Sequence, residues 1–125
     1  MKKDYFRESL GIQLLEVRDG YSKMSLKISK EHTNFVGFTH GAVLFALADC
    51  AFAEAVNFGS KQAVAVQVSI NYLRPTLEGD LLIAEATTVS DGKNLALCSV
   101  VVKKEEKNVA LFSGLAYKVP SDKKV

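Results

Sequence analysis

This chain of 125 residues has only two cysteines, two prolines and two histidines, and no tryptophan. Cys50 and Cys98 lie in apolar runs, without a Cys-x-x-Cys spacing and with few histidines to accompany them. So small a set of ligands indicates neither a zinc site nor a disulfide framework. We therefore expect no metal and no cofactor, and a reducing, cytoplasmic location.

Excess charge of one sign is also scarce, because 16 Lys and Arg residues oppose 14 Asp and Glu residues and leave a formal charge of +2. The lysines are scattered or near the termini and form no basic stripe, which excludes the class of nucleic-acid binders. The apolar runs fall short of the ~20 residues that a membrane span needs. No apolar segment follows the polar start Met-Lys-Lys-Asp. A soluble protein is expected, with neither nucleic acid nor membrane as its partner.

Strand patterns dominate the chain, and no repeat, low-complexity tract or linker divides it. Residues 1–125 are therefore predicted to form a single domain. The segment 64–72 alternates most cleanly, which predicts one face directed at the core. That face comprises Val64, Val66, Val68, Ile70 and Tyr72. Short turns separate further predicted strands and favour antiparallel neighbours; these strands are near 12–18, 21–29, 80–89, 95–104 and 109–119, after a short helix from Tyr5 to Leu10.

The segment from about His40 to Asn57 is rich in alanine and leucine and free of proline. It predicts a long helix, with Gly59 placed to end it. Because the segment is apolar nearly all round, we expect a sheet wrapped around it. One sheet leaves part of that apolar surface uncovered, and a second subunit is the natural cover. The pattern therefore predicts an oligomer.

One aspartate, Asp49, stands in the middle of this apolar helix. An ionised carboxylate there must be compensated, since burying it unpaired costs much free energy. The preceding run, residues 34–41, reads Asn-Phe-Val-Gly-Phe-Thr-His-Gly. Gly37 and Gly41 allow a tight turn and leave free N–H groups at the helix start, where partial positive charge favours a developing anion. The two features together suggest a base and an oxyanion site.

A helix wrapped by an antiparallel sheet is the hotdog fold, and residues 34–57 resemble the PaaI-type acyl-CoA thioesterases. The resemblance is carried by the His-Gly pair that opens the helix and by Leu-Ala-Asp in its middle. It extends over most of the chain, because Asn-Tyr-Leu-Arg-Pro at 71–75 and Gly-Asp at 79–80 also resemble that family. It implies an α+β hotdog domain that hydrolyses an acyl-CoA thioester.

The resemblance also implies roles for four residues. Asp49 matches the family's acid, which acts as general base on water or as direct nucleophile. The Gly41 N–H matches the group that polarises the thioester carbonyl. Asn34 matches an amide that holds water or substrate, and His40 matches the residue beside the oxyanion site. Since the acid and the carbonyl-binding loop come from different subunits in this family, a homodimer is implied, and back-to-back pairing gives a dimer of dimers.

Substrate contacts are predicted from the strand after the helix and from nearby cations. Some relatives supply a serine or threonine from that strand, where this chain offers Ala65, Gln67 and Ser69, and Gln67 is our candidate for substrate binding. Arg74 and Lys93 are candidates for gripping the phosphates of coenzyme A. The expected pocket lining includes Phe45, Phe52 and Phe58, which favours a small aromatic or medium-chain acyl group.

Each residue also has a purely local interpretation. Asp49 could be a structural carboxylate, Asn34 a turn former and His40 a local hydrogen-bonding group. Arg74 could pair with Glu78 or Asp80. Two other functions stay open at this stage: a hydratase or dehydratase acting on acyl thioesters, and a non-catalytic acyl-CoA binding module.

Overall fold

The computed structural model describes residues 3–120, so the outermost residues of the predicted 1–125 domain lie outside the described part. It confirms the α+β hotdog fold, in which one antiparallel sheet wraps around one long helix. The elements in chain order are α1 (Tyr5–Leu10), β1 (Gln13–Arg18), β2 (Tyr21–Lys27), a 3₁₀ turn (Lys30–His32), α2 (Gly41–Val56), β3 (Ala63–Tyr72), β4 (Leu81–Asp91), β5 (Leu95–Lys104) and β6 (Lys107–Lys118).

The six strands form a single sheet in the order β1-β2-β4-β5-β6-β3, with every neighbouring pair antiparallel. Alternate residues of the central strands face α2 and are fully buried, as Leu82, Ala84 and Ala86 of β4 illustrate. At Gly114 of β6 the helix approaches so closely that a Cβ would lie 2.8 Å from the Phe52 ring. The core therefore lies between the helix and the sheet.

The edge strand β3 departs from its predicted pattern. A bulge at Val66 shifts the register, because Ala65 pairs with Ala116 whereas Gln67 pairs with Leu115. The prediction that Val64 and Val66 share one core face with Val68, Ile70 and Tyr72 is therefore wrong: the extra residue reverses the alternation, and Val66 is 56% exposed. Only the part of the strand after the bulge keeps the predicted orientation toward the helix side.

Helix α2 is confirmed, and each of its ends lies within one residue of the predicted bound, but Asn57 rather than Gly59 is its C-terminal cap. Most of its side chains are buried, and Phe45, Asp49 and Ala53 form a half-buried stripe along one side. Their spacing of four residues aligns them on one face. No helix within residues 3–120 combines the length and the apolar character that a bilayer span requires.

Candidate active site

The loop before α2 is held together by the side chain of Asn34. Its Oδ1 accepts hydrogen bonds from the N–H groups of Val36 (3.0 Å) and Phe38 (3.1 Å). The backbone closes the same turn, because the Asn34 N–H donates to the Phe38 carbonyl at 2.7 Å. The side-chain oxygen of Asn34 thus acts as a turn former, as the local interpretation expects. Its amide nitrogen makes no hydrogen bond with residues 3–120 and stays available to a ligand.

The side chain of His40 caps the start of α2. Its Nδ1 accepts the Ala42 N–H at 3.0 Å, and an accepting Nδ1 places the proton of the neutral ring on Nε2. The Gly41 N–H, one position earlier, has no acceptor among residues 3–120. At the positive end of the helix, the Ala42 N–H is therefore bonded to the cap, whereas the Gly41 N–H is free to bind a ligand.

A second segment, residues 72–76, anchors the residues around Gly41. The Thr76 carbonyl accepts the Thr39 N–H at 2.8 Å, and the Thr76 hydroxyl donates to the Thr39 hydroxyl oxygen at 2.6 Å. Both threonines are buried. The Tyr72 hydroxyl donates to the Gly41 carbonyl at 3.0 Å. Sequence reasoning assigned no site role to Tyr72 or Thr76, because nothing in the local pattern reveals contacts across about 35 residues of chain.

A pocket of about 300 Å³ opens beside Gly41. Phe38, Leu44 and Leu73 give it apolar walls, and Arg74 lies on its lining. The side chain of Arg74 is exposed. It makes no ion pair with residues 3–120, because Asp80 instead pairs with Lys104 at 3.0 Å and accepts the Leu77 N–H at 2.8 Å. Glu78 does not pair with Arg74 either, so the local interpretation of Arg74 as a partner of Glu78 or Asp80 is wrong.

The Asp49 carboxylate lies half-buried in the middle of α2. Burial raises its pKa, and the negative charge of Asp4, at the N-cap of α1, raises it further. No hydrogen-bond donor or cation within residues 3–120 contacts it, whereas Glu54 on the same helix pairs with Arg7 of α1 at 3.1 Å. The structural-carboxylate interpretation requires a partner that this part of the chain does not supply. Such a carboxylate suits a general base.

Asp49 and the Gly41 N–H belong to one helix but cannot meet at one carbonyl within one chain. They are separated along the axis by about 12 Å, at 1.5 Å per residue. Hydrogen bonding requires about 3 Å. Within one helix, therefore, the two groups do not both contact a single carbonyl directly.

Gln67 and Lys93 lie away from Gly41, toward the start of β3. Gln67 follows the β3 bulge on the face turned away from α2, opposite Leu115. Lys93 lies in the turn between β4 and β5, near the start of β3, whereas Arg74 follows its end. Of the aromatic residues expected to line the pocket, Phe52 is buried in the core, so its predicted role is wrong. Phe45 is half-buried against Phe112, with ring centroids 5.6 Å apart.

Cys50, the neighbour of Asp49, is buried, and burial raises the pKa of its thiol to about 12. A thiol with so high a pKa is a poor nucleophile. Residues 3–120 bring no three His, Cys, Asp or Glu side chains together as a potential metal site.

Comparison with known proteins identifies the family. The model of the thioesterase superfamily matches residues 36–111. The acyl-coenzyme A thioesterase PaaI of Escherichia coli is 33% identical over 94% of this chain and 85% of its own length. A solved structure of the E. coli PaaI protein superimposes with a TM-score of 0.90 at 32% identity, covering 94% of this chain and 86% of that one.

Two further solved structures are similar to this chain. The TT0310 protein from Thermus thermophilus has a TM-score of 0.92 at 36% identity, covering 94% of this chain and all of that one. The smu.793 protein from Streptococcus mutans, solved bound to acetyl CoA, has a TM-score of 0.82 at 25% identity, covering 86% and 88%. The chain belongs to the thioesterase superfamily and, within it, to the PaaI-type hotdog-fold acyl-CoA thioesterases.

Proposed function

We propose that this chain is a single-domain, cytoplasmic acyl-CoA thioesterase in which Asp49 is the base or nucleophile and the Gly41 N–H polarises the thioester carbonyl. The observation that carries the proposal is the open Gly41 N–H at the start of α2, beside a pocket with apolar walls. A backbone donor at a helix N-terminus is suited to the negative charge that develops on a carbonyl oxygen under attack.

The reaction follows from these two groups. The thioester oxygen accepts the Gly41 N–H, and Asp49 either removes a proton from an attacking water or attacks the carbonyl carbon itself. The tetrahedral intermediate then expels coenzyme A as its thiolate, which takes up a proton, and the acid is released directly or after hydrolysis of the acyl-Asp49 anhydride. The amide nitrogen of Asn34 and the Nε2–H of His40 are further donors on the same loop.

The working enzyme is a dimer joined along β3. This edge strand has no lysine or proline among its ten residues, Ala63–Tyr72, whereas exposed edges are usually protected by such residues. In a symmetric pair of antiparallel α2 helices, Asp49 of each chain lies opposite the helix start of the other if the axis passes near Phe45, midway between them. Phe45 is half-buried, as a residue at such an axis would be before pairing.

Two dimers associate through the outer face of the sheet. Leu97, Val101 and Leu115 are only partly buried there, and Leu111 is 38% exposed. Ser69, Ser113 and Ser99 form a row of small side chains across three neighbouring strands. An apolar face with small residues at its centre is suited to close packing against a second sheet.

The substrate spans the pocket and its rim. The apolar walls and the volume of about 300 Å³ suit a small aromatic or medium-chain acyl group. Arg74 binds a phosphate of coenzyme A, since it is exposed and has no carboxylate partner within residues 3–120. Lys93 and Gln67 lie toward the bulged half of β3, whereas Gly41 lies near the other end of that strand. In an antiparallel β3 pair, the bulged half of one strand lies beside the end of the other, so Lys93 and Gln67 contribute only to the site at the helix start of the other subunit.

A panel of acyl-CoA thioesters, followed by release of free thiol, tests the activity. Hydrolysis of aromatic or medium-chain members is expected; binding without thiol release would indicate a binding module, and a change in enoyl-CoA absorbance would indicate a hydratase.

Subunit complementation tests the shared site. Asp49→Asn removes the base, and Gly41→Pro removes the backbone donor at the first helical position, where the proline backbone is compatible with a helix. A Cβ on residue 41 would lie 3.3 Å from the Tyr72 ring, so the Gly41→Pro protein is used only after it is shown to fold and to exchange subunits. The two inactive proteins should regain about a quarter of wild-type activity after random exchange, because half of the dimers are mixed and each has one intact site. No recovery despite proven exchange would place both residues in one subunit's site, and an active monomer by light scattering would contradict the dimer.

A further inference from the structure

The phenol ring of Tyr72 lies directly against the residue that opens α2. Its hydroxyl donates to the Gly41 carbonyl at 3.0 Å. A Cβ on Gly41 would lie 3.3 Å from the ring carbon that bears the hydroxyl. We propose that Tyr72 is a positioning residue that fixes the carbonyl-binding amide of Gly41, an inference that rests on the proposed function.

The backbone conformation of Gly41 needs to be fixed by contacts from another part of the chain. Without a side chain, Gly41 can rotate more freely about both backbone angles than any other residue. Its carbonyl accepts one hydrogen bond from the residue four positions on, as the helix requires, and Tyr72 engages the remaining lone pair. The ring lies so close to Gly41 that a Cβ there would be 3.3 Å from it, a tight contact. Contact on two sides therefore holds Gly41, and with it the direction of its free N–H.

The same hydroxyl also acts on His40 through one peptide group. The carbonyl that Tyr72 engages belongs to the Gly41–Ala42 peptide, and the N–H of that peptide donates to His40 Nδ1 at 3.0 Å. Hydrogen bonds at the two ends of one peptide polarise and strengthen each other. Tyr72 thereby reinforces the tautomer in which His40 carries its proton on Nε2. It influences both donors at the helix start through the Gly41 carbonyl, and its side chain also lines the pocket beside Gly41.

Tyr72 belongs to the same short segment of chain as Arg74, so its contact with Gly41 is linked to the rim of the pocket. Tyr72 is the last residue of β3, and Thr76, four residues later, holds Thr39 on the other side of the loop. Arg74 lies between these two anchors. The segment that presents the cation for coenzyme A therefore also fixes the group for the carbonyl, so both ends of the substrate are aligned by one short stretch of chain.

The test compares Tyr72→Phe with the wild type on two substrates, an acyl-CoA and the matching short pantetheine thioester. The substitution removes only the hydroxyl. We expect kcat to fall by about fivefold on both substrates, the equivalent of one neutral hydrogen bond, with KM unchanged. Tyr5→Phe is the matched control, because Tyr5 is 76% exposed and its hydroxyl makes no hydrogen bond with residues 3–120. It should leave both constants unchanged.

The outcomes separate this proposal from the proposed function. A higher KM with full kcat would overturn the positioning role: a rise for both substrates would make Tyr72 only a wall of the acyl pocket, and a rise for the acyl-CoA alone would make it a contact of the nucleotide part. Full kcat and KM on both substrates would overturn it as well. Turnover retained in Asp49→Asn protein would instead contradict the proposed function. Because kcat is normalised to folded protein and measured well below the unfolding midpoint of each variant, a change in stability alone does not produce the expected result.

Discussion

The start of α2 and its middle present their polar groups in opposite ways. At the start, the cap, the Asn34 turn, the Thr39–Thr76 pair and the Tyr72 hydroxyl hold the loop in place and leave donors open, namely the Gly41 N–H, the Asn34 amide nitrogen and the His40 Nε2–H. In the middle, Asp49 is half-buried, and residues 3–120 supply it with no hydrogen bond or ion pair. One region is held rigidly by contacts within the chain, and the other is left unsatisfied.

The difference corresponds to two different chemical requirements. A donor that stabilises a developing charge works best when its direction is fixed before the reaction, and the backbone contacts around Gly41 provide this. A base must instead keep a lone pair free, and a raised pKa makes it more basic; burial without a partner gives Asp49 both features. Satisfying Asp49 with an arginine, as Arg7 satisfies Glu54, would lower its pKa and its basicity.

The largest expected effect comes from Asp49→Asn, which removes the base while keeping size and polarity. We expect kcat to fall by ~10² or more. The same change should raise the unfolding midpoint at neutral pH. Burial raises the pKa of Asp49, so the folded state binds this proton more readily than the unfolded state, and stability is lost as pH rises through the interval between the two pKa values. Enzyme assays and thermal unfolding measure the two effects.

Glu54→Gln provides the control for that experiment, since it neutralises a carboxylate on the same helix that already has a partner. It should keep kcat near the wild-type value and should not raise the midpoint. A folded Asp49→Asn enzyme with normal turnover would show that the unsatisfied carboxylate has no catalytic role.

A smaller effect is expected at the other region, where Asn34→Asp separates the two roles of that side chain. Aspartate retains an oxygen that accepts the Val36 and Phe38 N–H groups, so the unfolding midpoint should stay close to that of the wild type. It loses the amide donor and adds a negative charge to the loop, so kcat should fall by about tenfold, the scale of one hydrogen bond to an orienting amide and less than for loss of the base.

Asn34→Ala provides the comparison, because it should lose both activity and about 1 kcal/mol of stability. If Asn34→Asp kept full activity while Asn34→Ala lost only stability, Asn34 would be a turn former alone.

Arg74→Ala tests whether Arg74, which lines the pocket beside the start of α2, binds coenzyme A. We expect KM for an acyl-CoA to rise by up to about fivefold, the scale of one exposed ion pair, with kcat nearly unchanged. The increase should shrink at high salt, because exposed charges are screened. Equal effects on a short pantetheine thioester, which lacks the nucleotide phosphates, would exclude this role.

The fold and the order of its elements could be predicted from the sequence because each depends on local pattern. Period-two alternation located the strands, and an alanine-rich run without proline located α2. The bulge at Val66 could not be predicted, because Val64 and Val66 continue the alternation and only pairing with β6 reveals the extra residue. Phe52 was misplaced for a similar reason: its contact with Gly114 lies 62 positions along the chain.

The loop and Asp49 were predictable as candidate site elements, because an acid inside an apolar helix and glycines before it are visible in sequence. Their supports were not. Tyr72 and Thr76 make their contacts across the sheet edge, and a tyrosine that ends a strand has no feature that distinguishes it from an ordinary surface residue. The influence of Asp4 on Asp49 was equally hidden, since it depends on how α1 packs beside α2.

The smallest expected effect concerns that influence, and Asp4→Asn isolates it. Asp4 caps α1 by accepting the Arg7 N–H at 3.0 Å, and asparagine caps a helix about as well as aspartate, so the fold should be unaffected. Burial is the larger cause of the raised pKa of Asp49 and remains, while the repulsion from Asp4 disappears. The pKa of Asp49 should therefore fall, and the acid limb of the pH profile of kcat/KM should move to lower pH. The variant should be more active than the wild type on that limb and equal to it at higher pH.

Glu8→Gln is the control for Asp4→Asn. It neutralises a charge on the same short helix, but this charge does not affect the pKa of Asp49, so the limb should stay in place. An unmoved limb in a stable Asp4→Asn protein would mean that burial alone keeps the unsatisfied carboxylate basic.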